Sequence, residues 1–335
     1  MIRVSYDEAI EKMKKGLLSY LPEESAERFA RIFADNSAEG VHSHGMNRYP
    51  RYLADMGKGI CDPGVTHAER IGALGALEIY DADYGVGPLI ADQMADRAVE
   101  LAQKHGVACC AVRNNSHWLR AGRYALKIAD AGMYGICLTN TCMNLTAWGA
   151  KEHSTGNNPI AIGIPREEGS LLLDMAVSQY AYGKLEIMAQ EGEMLPTPCG
   201  YDTRGELSSD PGEIAKSSLM LPMAMWKGSA LSIMLDLLAA GVSGGRTSKQ
   251  IGPPEVGEAG LSQVFIAMNA DAVNDAEAVA QNREETIAFL SGLKTAEGRV
   301  RAPGLGRDKI RRENLEKGIP VTEETWNKIL QLAGE

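Results

Sequence analysis

Apolar residues recur at helical spacing near both ends of the chain. Ser5 and Glu8 have the form of a capping box, and the apolar positions that follow them predict a first helix. Similar patterns predict helices over residues 22–38, over residues 275–290 and after Thr322. Both ends of the chain are therefore expected to be helical.

The middle of the chain alternates between short β-type runs and helical patterns. Strands are predicted over residues 76–80, 107–112, 134–139, 160–164, 170–175 and 263–269, and helices over 87–105, 121–131 and 227–240. This alternation predicts an α/β (or α+β) fold. We expect an α/β domain over residues 75–271 and a helical domain built from residues 1–74 and 272–335. Residues 188–222, rich in Pro, Gly, Ser and Asp, are predicted to form a long surface excursion.

Charge and length exclude several classes of partner. The chain of 335 residues has 34 Lys and Arg against 44 Asp and Glu, a net charge of −10, which disfavours nucleic acids and anionic membranes. Its most apolar stretch, residues 230–242, is interrupted by Asp236 and is too short to cross a bilayer. Six cysteines without a CxxC pair, in a chain that begins without a signal-peptide core, predict reduced thiols and a cytoplasmic location.

A search for common catalytic motifs is mostly negative. The best match to GxGxxG, Gly85-Val86-Gly87-Pro88, lacks the third glycine and has proline in the turn, so a Rossmann fold is not expected. There is no GxxxxGK[ST] loop, no HExxH and no GxSxG. His42 and His44 have no cysteine or carboxylate beside them in the sequence, and no metal site is predicted.

Polar residues with catalytic potential instead concentrate at five junctions between predicted elements. These junctions are residues 41–52, 114–118, 148–159, 172–176 and 225–228. The second follows the carboxyl end of an apolar strand, a place where α/β folds commonly bind ligands.

Seven segments, in order along nearly the whole chain, resemble the malate/L-lactate dehydrogenase-like oxidoreductases, a family that does not use a Rossmann fold. They are SHGMNR at 43–48, NNSHW at 114–118, WGAKE with GNNP within 148–159, LLLDMA at 171–176, YGKLE at 182–186, WKGS at 226–229 and RAPG at 301–304. The resemblance implies a helical domain made from both termini, a non-Rossmann nicotinamide-binding α/β domain, and a homodimer with its active site near the subunit interface.

The implied reaction is reduction of an oxo group next to a carboxylate, with a sugar-derived 2,3-dioxo acid as the expected substrate and NADH as the expected cofactor. NADPH is kept as an alternative cofactor. A 2-hydroxy acid dehydrogenase (malate, lactate or ureidoglycolate) and a cyclic imino acid reductase are alternatives within the family.

The resemblance also assigns catalytic residues. Negative charge builds on the carbonyl oxygen during hydride transfer, and a histidine with a pKa near neutrality suits the proton donor. His44 is the expected donor, Asp174 is expected to hydrogen-bond to it and raise its pKa, and His117 is expected to share or replace its role. The alternative for Asp174 is a cap of a helix over residues 178–190.

The expected substrate contacts are Ser43, Arg48 and Tyr52, with a surface ion pair as the alternative for Arg48. The expected cofactor contacts are Gly169, Ser170, Leu171, Leu172, Leu173, Asp174, Met175, Trp226, Lys227, Pro303, Gly304, Leu305 and Gly306. Core packing is the alternative for Trp226. The chain reads Leu305-Gly306-Arg307 where many relatives carry glutamate after Pro-Gly, so this contact departs from the family pattern.

Two other classes of function remain open. One is a lyase that uses Lys184 or Lys227 as a Schiff-base amine, and nothing in the sequence favours it. The other is a ligand-binding protein without turnover, in which His44 would be dispensable.

Overall fold

The computed structural model describes residues 1–295, 298 and 300–335. Its α-helices are α1 (Tyr6–Leu17), α2 (Glu23–Ala38), α3 (Tyr49–Gly57), α4 (Gly87–His105), α5 (Ala121–Asp130), α6 (Tyr182–Glu191), α7 (Pro211–Ser217), α8 (Trp226–Ser243), α9 (Ser248–Ile251), α10 (Ala276–Gly292), α11 (Arg307–Lys317) and α12 (Glu323–Leu332). Its strands are β1 (Ile2–Val4), β2 (Glu69–Leu74), β3 (Leu77–Asp81), β4 (Val107–Ser116), β5 (Tyr134–Thr139), β6 (Ile160–Ile164), β7 (Leu171–Met175), β8 (Gly200–Tyr201), β9 (Leu207–Ser208), β10 (Ala259–Met268) and β11 (Ile319–Val321).

Seven strands form one mixed sheet in the order β2-β3-β4-β10-β5-β6-β7. β3 and β4 run parallel, and the other neighbouring pairs are antiparallel. β10 is the last of the seven strands in the sequence, yet it lies at the centre, between β4 and β5. The sheet confirms an α/β fold that differs from the mostly parallel Rossmann sheet.

Helices cover both faces of this sheet. α4 and α5 pack on one face, where the rings of Trp118, Tyr124 and Phe265 lie 5.3 to 5.8 Å apart. α8 packs on the other face through Leu235 and Ala239. The carboxyl end of β4, which carries the NNSHW segment, is thus enclosed by packed layers on both sides.

A second apolar core combines residues from both ends of the chain. α1 packs on α2 and α12, α12 contacts α3, and β1 pairs with β11. Phe29, Phe33 and Tyr52 form its aromatic centre, with ring centroids 4.7 to 6.1 Å apart. The capping role of Ser5 is confirmed, because its hydroxyl accepts a hydrogen bond from the backbone N–H of Glu8. The domain division at residues 74 and 272 stays a prediction.

Most predicted elements are present, and the differences have physical causes. The helix over 87–105 and the strands over 134–139 and 160–164 have the predicted bounds. β2 was not predicted, because nearly all its side chains are exposed and the strand lacks apolar alternation. β1 and β11 have three residues each, too few for a periodic signal.

The prediction of a long surface excursion over residues 188–222 is partly wrong. The segment contains β8, β9 and α7. Cys199, Ile214 and Met220 are buried against Leu145 and Leu185, so the segment has a small apolar core of its own.

Two further predictions concern the whole chain. The six cysteines are free thiols, and five of them are buried. In the part of the chain that the structure describes, no helix combines the length and the apolar character that crossing a bilayer requires.

Candidate active site

His44 lies on a short helical turn that is fixed to α2. Asn36 donates a side-chain hydrogen bond of 2.9 Å to the His44 carbonyl, and the Ser37 hydroxyl accepts one of 2.8 Å from the Met46 backbone N–H. Gly45 lies so close to α2 that a Cβ atom there would meet the Ser37 hydroxyl at 2.0 Å. The sequence Ser-His-Gly therefore holds the imidazole of His44 on a turn that packs against the C-terminal part of α2.

His117 follows β4 and faces His44. The two rings are stacked, with centroids 5.8 Å apart and planes 8° from parallel. His117 Nδ1 accepts a hydrogen bond of 3.0 Å from the Leu119 backbone N–H. The neutral imidazole of His117 therefore carries its hydrogen on Nε2. His44 Nδ1 lies 3.1 Å from the Ser43 hydroxyl.

Both rings are held towards the neutral state. Burial lowers the pKa of His117 to about 3, and the cation of Arg48 adds to that effect. Burial also lowers the pKa of His44, with Arg48 acting in the same direction, while the negative charges of Asp174 and Glu258 oppose it. Asp174 does raise the pKa of His44, as expected, but burial outweighs that carboxylate and the net shift is downward.

Asp174 lies on β7 at the edge of the sheet and is bound to Arg120. Arg120 Nε donates to Asp174 Oδ2 at 2.9 Å, and the other end of the guanidinium group pairs with Glu39, the C-cap residue of α2. Arg120 is buried, with 6% of its side chain exposed. Among the described residues no hydrogen bond joins Asp174 to His44, so the expected direct pair is absent and Asp174 acts on His44 through space.

The helix-cap alternative for Asp174 is also excluded by the structure. α6 begins at Tyr182 with Ala181 as its N-cap. A Cβ atom at Gly122 would meet Asp174 Oδ2 at 2.4 Å, so α5 packs directly on this carboxylate.

Arg48 forms a largely buried ion pair with Glu258, which precedes β10. The side chains of Arg48 and Glu258 are 15% and 18% exposed. Arg48 Nε is buried and has no hydrogen-bond partner among the described residues, which is unusual for a buried donor. The alternative of an ion pair for Arg48 is therefore right about the pairing, but the pair is largely buried and not at the surface.

The two remaining predicted substrate contacts, Ser43 and Tyr52, lie in different surroundings. Ser43 is exposed next to His44. Tyr52 is buried, with 3% exposed, and its hydroxyl contacts the Ser116 hydroxyl at 2.9 Å and the Gly87 backbone N–H at 3.2 Å. The assignment of Tyr52 to the substrate is therefore wrong, because its polar atom is used to hold the start of α4.

A cavity of about 620 Å³ opens beside Asp174 and Arg120. Its other walls come from Glu39 and Val41 at the end of α2, from β7, and from the start of α11. The lining residues are Glu39, Val41, Arg120, Leu172, Asp174, Arg301, Gly304, Leu305, Gly306, Arg307, Lys309, Ile310 and Glu313. His44 and His117 are not among these lining residues, although His44 is close enough to Asp174 and Arg120 for their charges to affect its pKa.

Two of the three predicted cofactor segments lie side by side at this cavity. The Leu172 backbone N–H donates to the Pro303 carbonyl at 3.2 Å. Gly304 has a φ of +84°, and a Cβ atom there would meet the Leu172 nitrogen at 2.6 Å, so only glycine fits. Leu172, Asp174 and residues 304–306 line the cavity, whereas the other predicted members of these segments, Gly169, Ser170, Leu171, Leu173, Met175 and Pro303, do not.

The third predicted cofactor segment lies apart from the cavity. Trp226 begins α8 and is 64% exposed, so the core-packing alternative for it is wrong. The Met223 backbone N–H donates to the Val177 carbonyl at 2.8 Å, which places this segment beyond the end of β7. Lys227 lies over the Trp226 ring and Lys184 over the Tyr180 ring, and neither lines the cavity.

Sequence reasoning missed two charged residues of the site, Arg120 and Glu258. Arg120 had a signal, since it comes two residues after the segment 114–118 that was already singled out. Glu258 had none, since it lies 210 positions from its partner Arg48 in the sequence.

Comparison with known proteins gives one family. A family model described as malate/L-lactate dehydrogenase matches residues 4–330. The chain is 38% identical over 337 residues to a 2,3-diketo-L-gulonate reductase of Haemophilus influenzae, covering 99% of this chain and all of that protein.

Solved structures show the same fold. The sulfolactate dehydrogenase of Methanocaldococcus jannaschii superposes with a TM-score of 0.90 at 26% identity, covering 99% of this chain and 97% of that one. The delta1-piperideine-2-carboxylate reductase of Pseudomonas syringae pv. tomato superposes with a TM-score of 0.88 at 28% identity, covering 99% and 100%.

Proposed function

The chain belongs to the malate/L-lactate dehydrogenase family of oxidoreductases, and we propose that it reduces a sugar-derived 2,3-dioxo acid of the 2,3-diketo-L-gulonate type with NADH. The observation that carries the proposal is the stacked pair of neutral histidines beside a cavity whose walls hold four cationic side chains together with three carboxylates. The name of the full-length relative supports the substrate class.

In this proposal His44 gives a proton to the substrate oxygen. Burial and the cation of Arg48 lower the pKa of His44, so its protonated form is a stronger acid than a free imidazole. Asp174 stabilises that protonated form through space, and Arg120 fixes the carboxylate in place. His117 remains neutral, with Nε2–H available to donate a hydrogen bond to the developing oxyanion.

Arg48 is proposed to bind the carboxylate next to the reacting carbonyl. Its unpartnered Nε–H is buried near both histidines, and a substrate carboxylate would satisfy it. Ser43, exposed beside His44, is proposed to contact a hydroxyl of the substrate.

The cavity residues fit a nicotinamide dinucleotide. Arg301, Arg307 and Lys309 supply cations for its phosphates. α11 begins at Arg307, and its N-cap Gly306 provides no side-chain cap for the first backbone N–H groups. When bound, the reduced cofactor supplies the hydride. Arg307 Nη1 is buried without a partner in the described part of the chain, and a phosphate oxygen would satisfy it.

A homodimer is proposed from one face of α8. Trp226, Ile233, Met234, Leu237 and Leu238 form an apolar stripe along this face and are 41% to 64% exposed. A second copy of the chain covering the stripe would bring Trp226 and Lys227 against a neighbouring subunit. Leu237→Arg is then expected to give a monomer in sedimentation analysis, whereas Leu332→Arg on α12 leaves the dimer intact.

The experiment for the activity is a panel of acceptors assayed by NADH oxidation. It includes 2,3-diketo-L-gulonate, oxaloacetate, pyruvate and a cyclic imino acid, because a solved relative is named a piperideine carboxylate reductase. The dioxo sugar acid is expected to have the highest kcat/KM. Faster turnover of the imine would replace the proposal with imino acid reduction, and no turnover of any member would refute it.

His44→Asn tests the mechanism in the same assay. We expect kcat to fall at least about a hundredfold, since general acid catalysis commonly contributes that much. The matched control is His67→Asn, at an exposed histidine outside the site. A kcat unchanged by His44→Asn would transfer the donor role to His117. A cytoplasmic location is also proposed, on the six free cysteines.

A further inference from the structure

Glu258 connects the two segments that carry the predicted catalytic and anion-binding groups. Its carboxylate pairs with Arg48 and lies 3.7 Å from Arg51. Its backbone carbonyl accepts a hydrogen bond of 3.0 Å from the backbone N–H of His117. Only 18% of its side chain is exposed, and its charge acts on both His44 and His117. The negative charge of Glu258 thus lies against Arg48, the cation that is proposed to bind an anionic substrate.

We propose that Glu258 determines specificity by charge: held on Arg48, it admits acids with a single carboxylate and disfavours acids that carry a second one. The inference rests on the proposed function, in which Arg48 binds the carboxylate beside the reacting carbonyl.

The physical reason is repulsion within a small site. Glu258 occupies one nitrogen of the Arg48 guanidinium group and leaves Nε unpartnered, so a bound carboxylate and Glu258 share one cation. Every unit of negative charge on the ligand is repelled by Glu258, and a dianion is therefore penalised more than a monoanion of the same size. A dioxo sugar acid has one carboxylate and otherwise neutral hydroxyls, which satisfies this condition.

Glu258 is charged under working conditions. Burial opposes its ionisation, but His117 and the guanidinium groups of Arg48 and Arg51 lower its pKa to about 2. The other charged groups near the two histidines, Asp174 and Arg120, are the same in every variant described below, so the comparison isolates Glu258.

The test uses two anions of nearly equal size that differ by one charge, oxamate and oxalate. Their dissociation constants are measured by calorimetry at neutral pH, with saturating NADH, for the full chain and for Glu258→Gln, Glu258→Asp and Glu255→Gln. Gln removes the charge and keeps the shape, Asp keeps the charge, and Glu255 is an exposed acid three residues away. Glu258→Ser is a second neutral variant in case Gln prevents folding.

We expect the affinity for oxalate relative to oxamate to rise on the order of tenfold in Glu258→Gln, because a charge a few ångströms away is removed. The ratio should stay at the parent value in Glu258→Asp and Glu255→Gln. An unchanged ratio in the neutral variants, an equal rise in Glu258→Asp, or a parent enzyme that binds neither anion would overturn the proposal.

Turnover separates this inference from the proposed function. The same variants are assayed with 2-oxobutanoate and oxaloacetate, which have the same chain length and differ by a carboxylate. The ratio of their kcat/KM values should move towards oxaloacetate in Glu258→Gln, a change that mere loss of structure would not produce. If none of the oxo acids tested supports NADH oxidation by the parent enzyme, the proposed function fails. The calorimetric ratio still decides whether Glu258 excludes dianions.

Discussion

Mild acid is expected to destabilise the protein through His117. The unfolded imidazole binds a proton below about pH 6.5, whereas burial keeps the folded one neutral until about pH 3. The unfolded state therefore binds more protons between these limits, and the free energy of unfolding must decrease as the pH falls through 6.5.

The size of the effect follows from that difference. Each pH unit well below 6.5 costs about 1.4 kcal/mol for one such group, so acidification from pH 7 to pH 5 should cost about 2 kcal/mol from His117 alone. Burial lowers the pKa of His44 and His42 as well, which adds to the loss in the same direction. The low-pKa carboxyl of Glu258 loses its contribution only below its unfolded value of 4.5, outside this window.

Urea unfolding at pH 7 and pH 5, at one protein concentration, measures the loss. His117→Asn keeps an acceptor near the Leu119 N–H and cannot be protonated, so its pH dependence should be smaller than that of the parent by about 2 kcal/mol. His67→Asn, at an exposed histidine, should retain the parent dependence. If His117→Asn and the parent lose the same free energy, His117 is protonated in the folded protein and the neutral-pair description is refuted.

Three further predictions follow from the site. If His44 is the acid, kcat/KM for reduction should fall about tenfold per pH unit above pH 6.5, where the depressed pKa leaves few protonated rings, and a flat profile to pH 8.5 would contradict this. Arg120→Met leaves two carboxylates facing each other and should lower the free energy of unfolding by about 3 kcal/mol in urea. Lys328→Met, in an exposed pair, should cost under about 1 kcal/mol, and equal losses would refute the role of burial. Gly304→Ala should raise the NADH dissociation constant at least about tenfold, measured by fluorescence, because its Cβ displaces the backbone at the cavity. Gly59→Ala has a similar positive φ in open space and should leave binding unchanged, so equal weakening would contradict the contact argument.

The sequence predicts elements well where one face is buried. The helix over residues 87–105 is capped by Gly106, and its apolar face packs on the sheet. The apolar periodicity and the glycine that ends the helix therefore predict the same element. β2 has no buried face and leaves no periodic signal. The order of the strands could not be predicted, because pairing between β4 and β10 joins residues 143 or more positions apart and no local rule encodes it.

For the site, the sequence indicates which residue types matter but not how they pair. The resemblance brought together His44, His117 and Arg48, which do lie near one another. It placed Tyr52 at the substrate, although this side chain is buried in the core, because motif position alone does not reveal which way a side chain points. The carboxylate of Glu258 was absent from the motifs, since an acid in a loop gains its meaning only from a partner brought close by folding.

The place of β10 in the sheet has a consequence for the chain during synthesis. Until residue 268 has left the ribosome, β4 and β5 lack the strand that lies between them, and each presents an unpaired edge. Between the synthesis of residue 116 and that of residue 268, the nascent chain must therefore keep unpaired apolar strands apart from other polypeptides, and we expect holding chaperones to bind it over that interval. Insertion of β10 joins the halves and, in the same step, delivers Glu258 to Arg48, whereas the cavity is completed only when residues 301–313 follow.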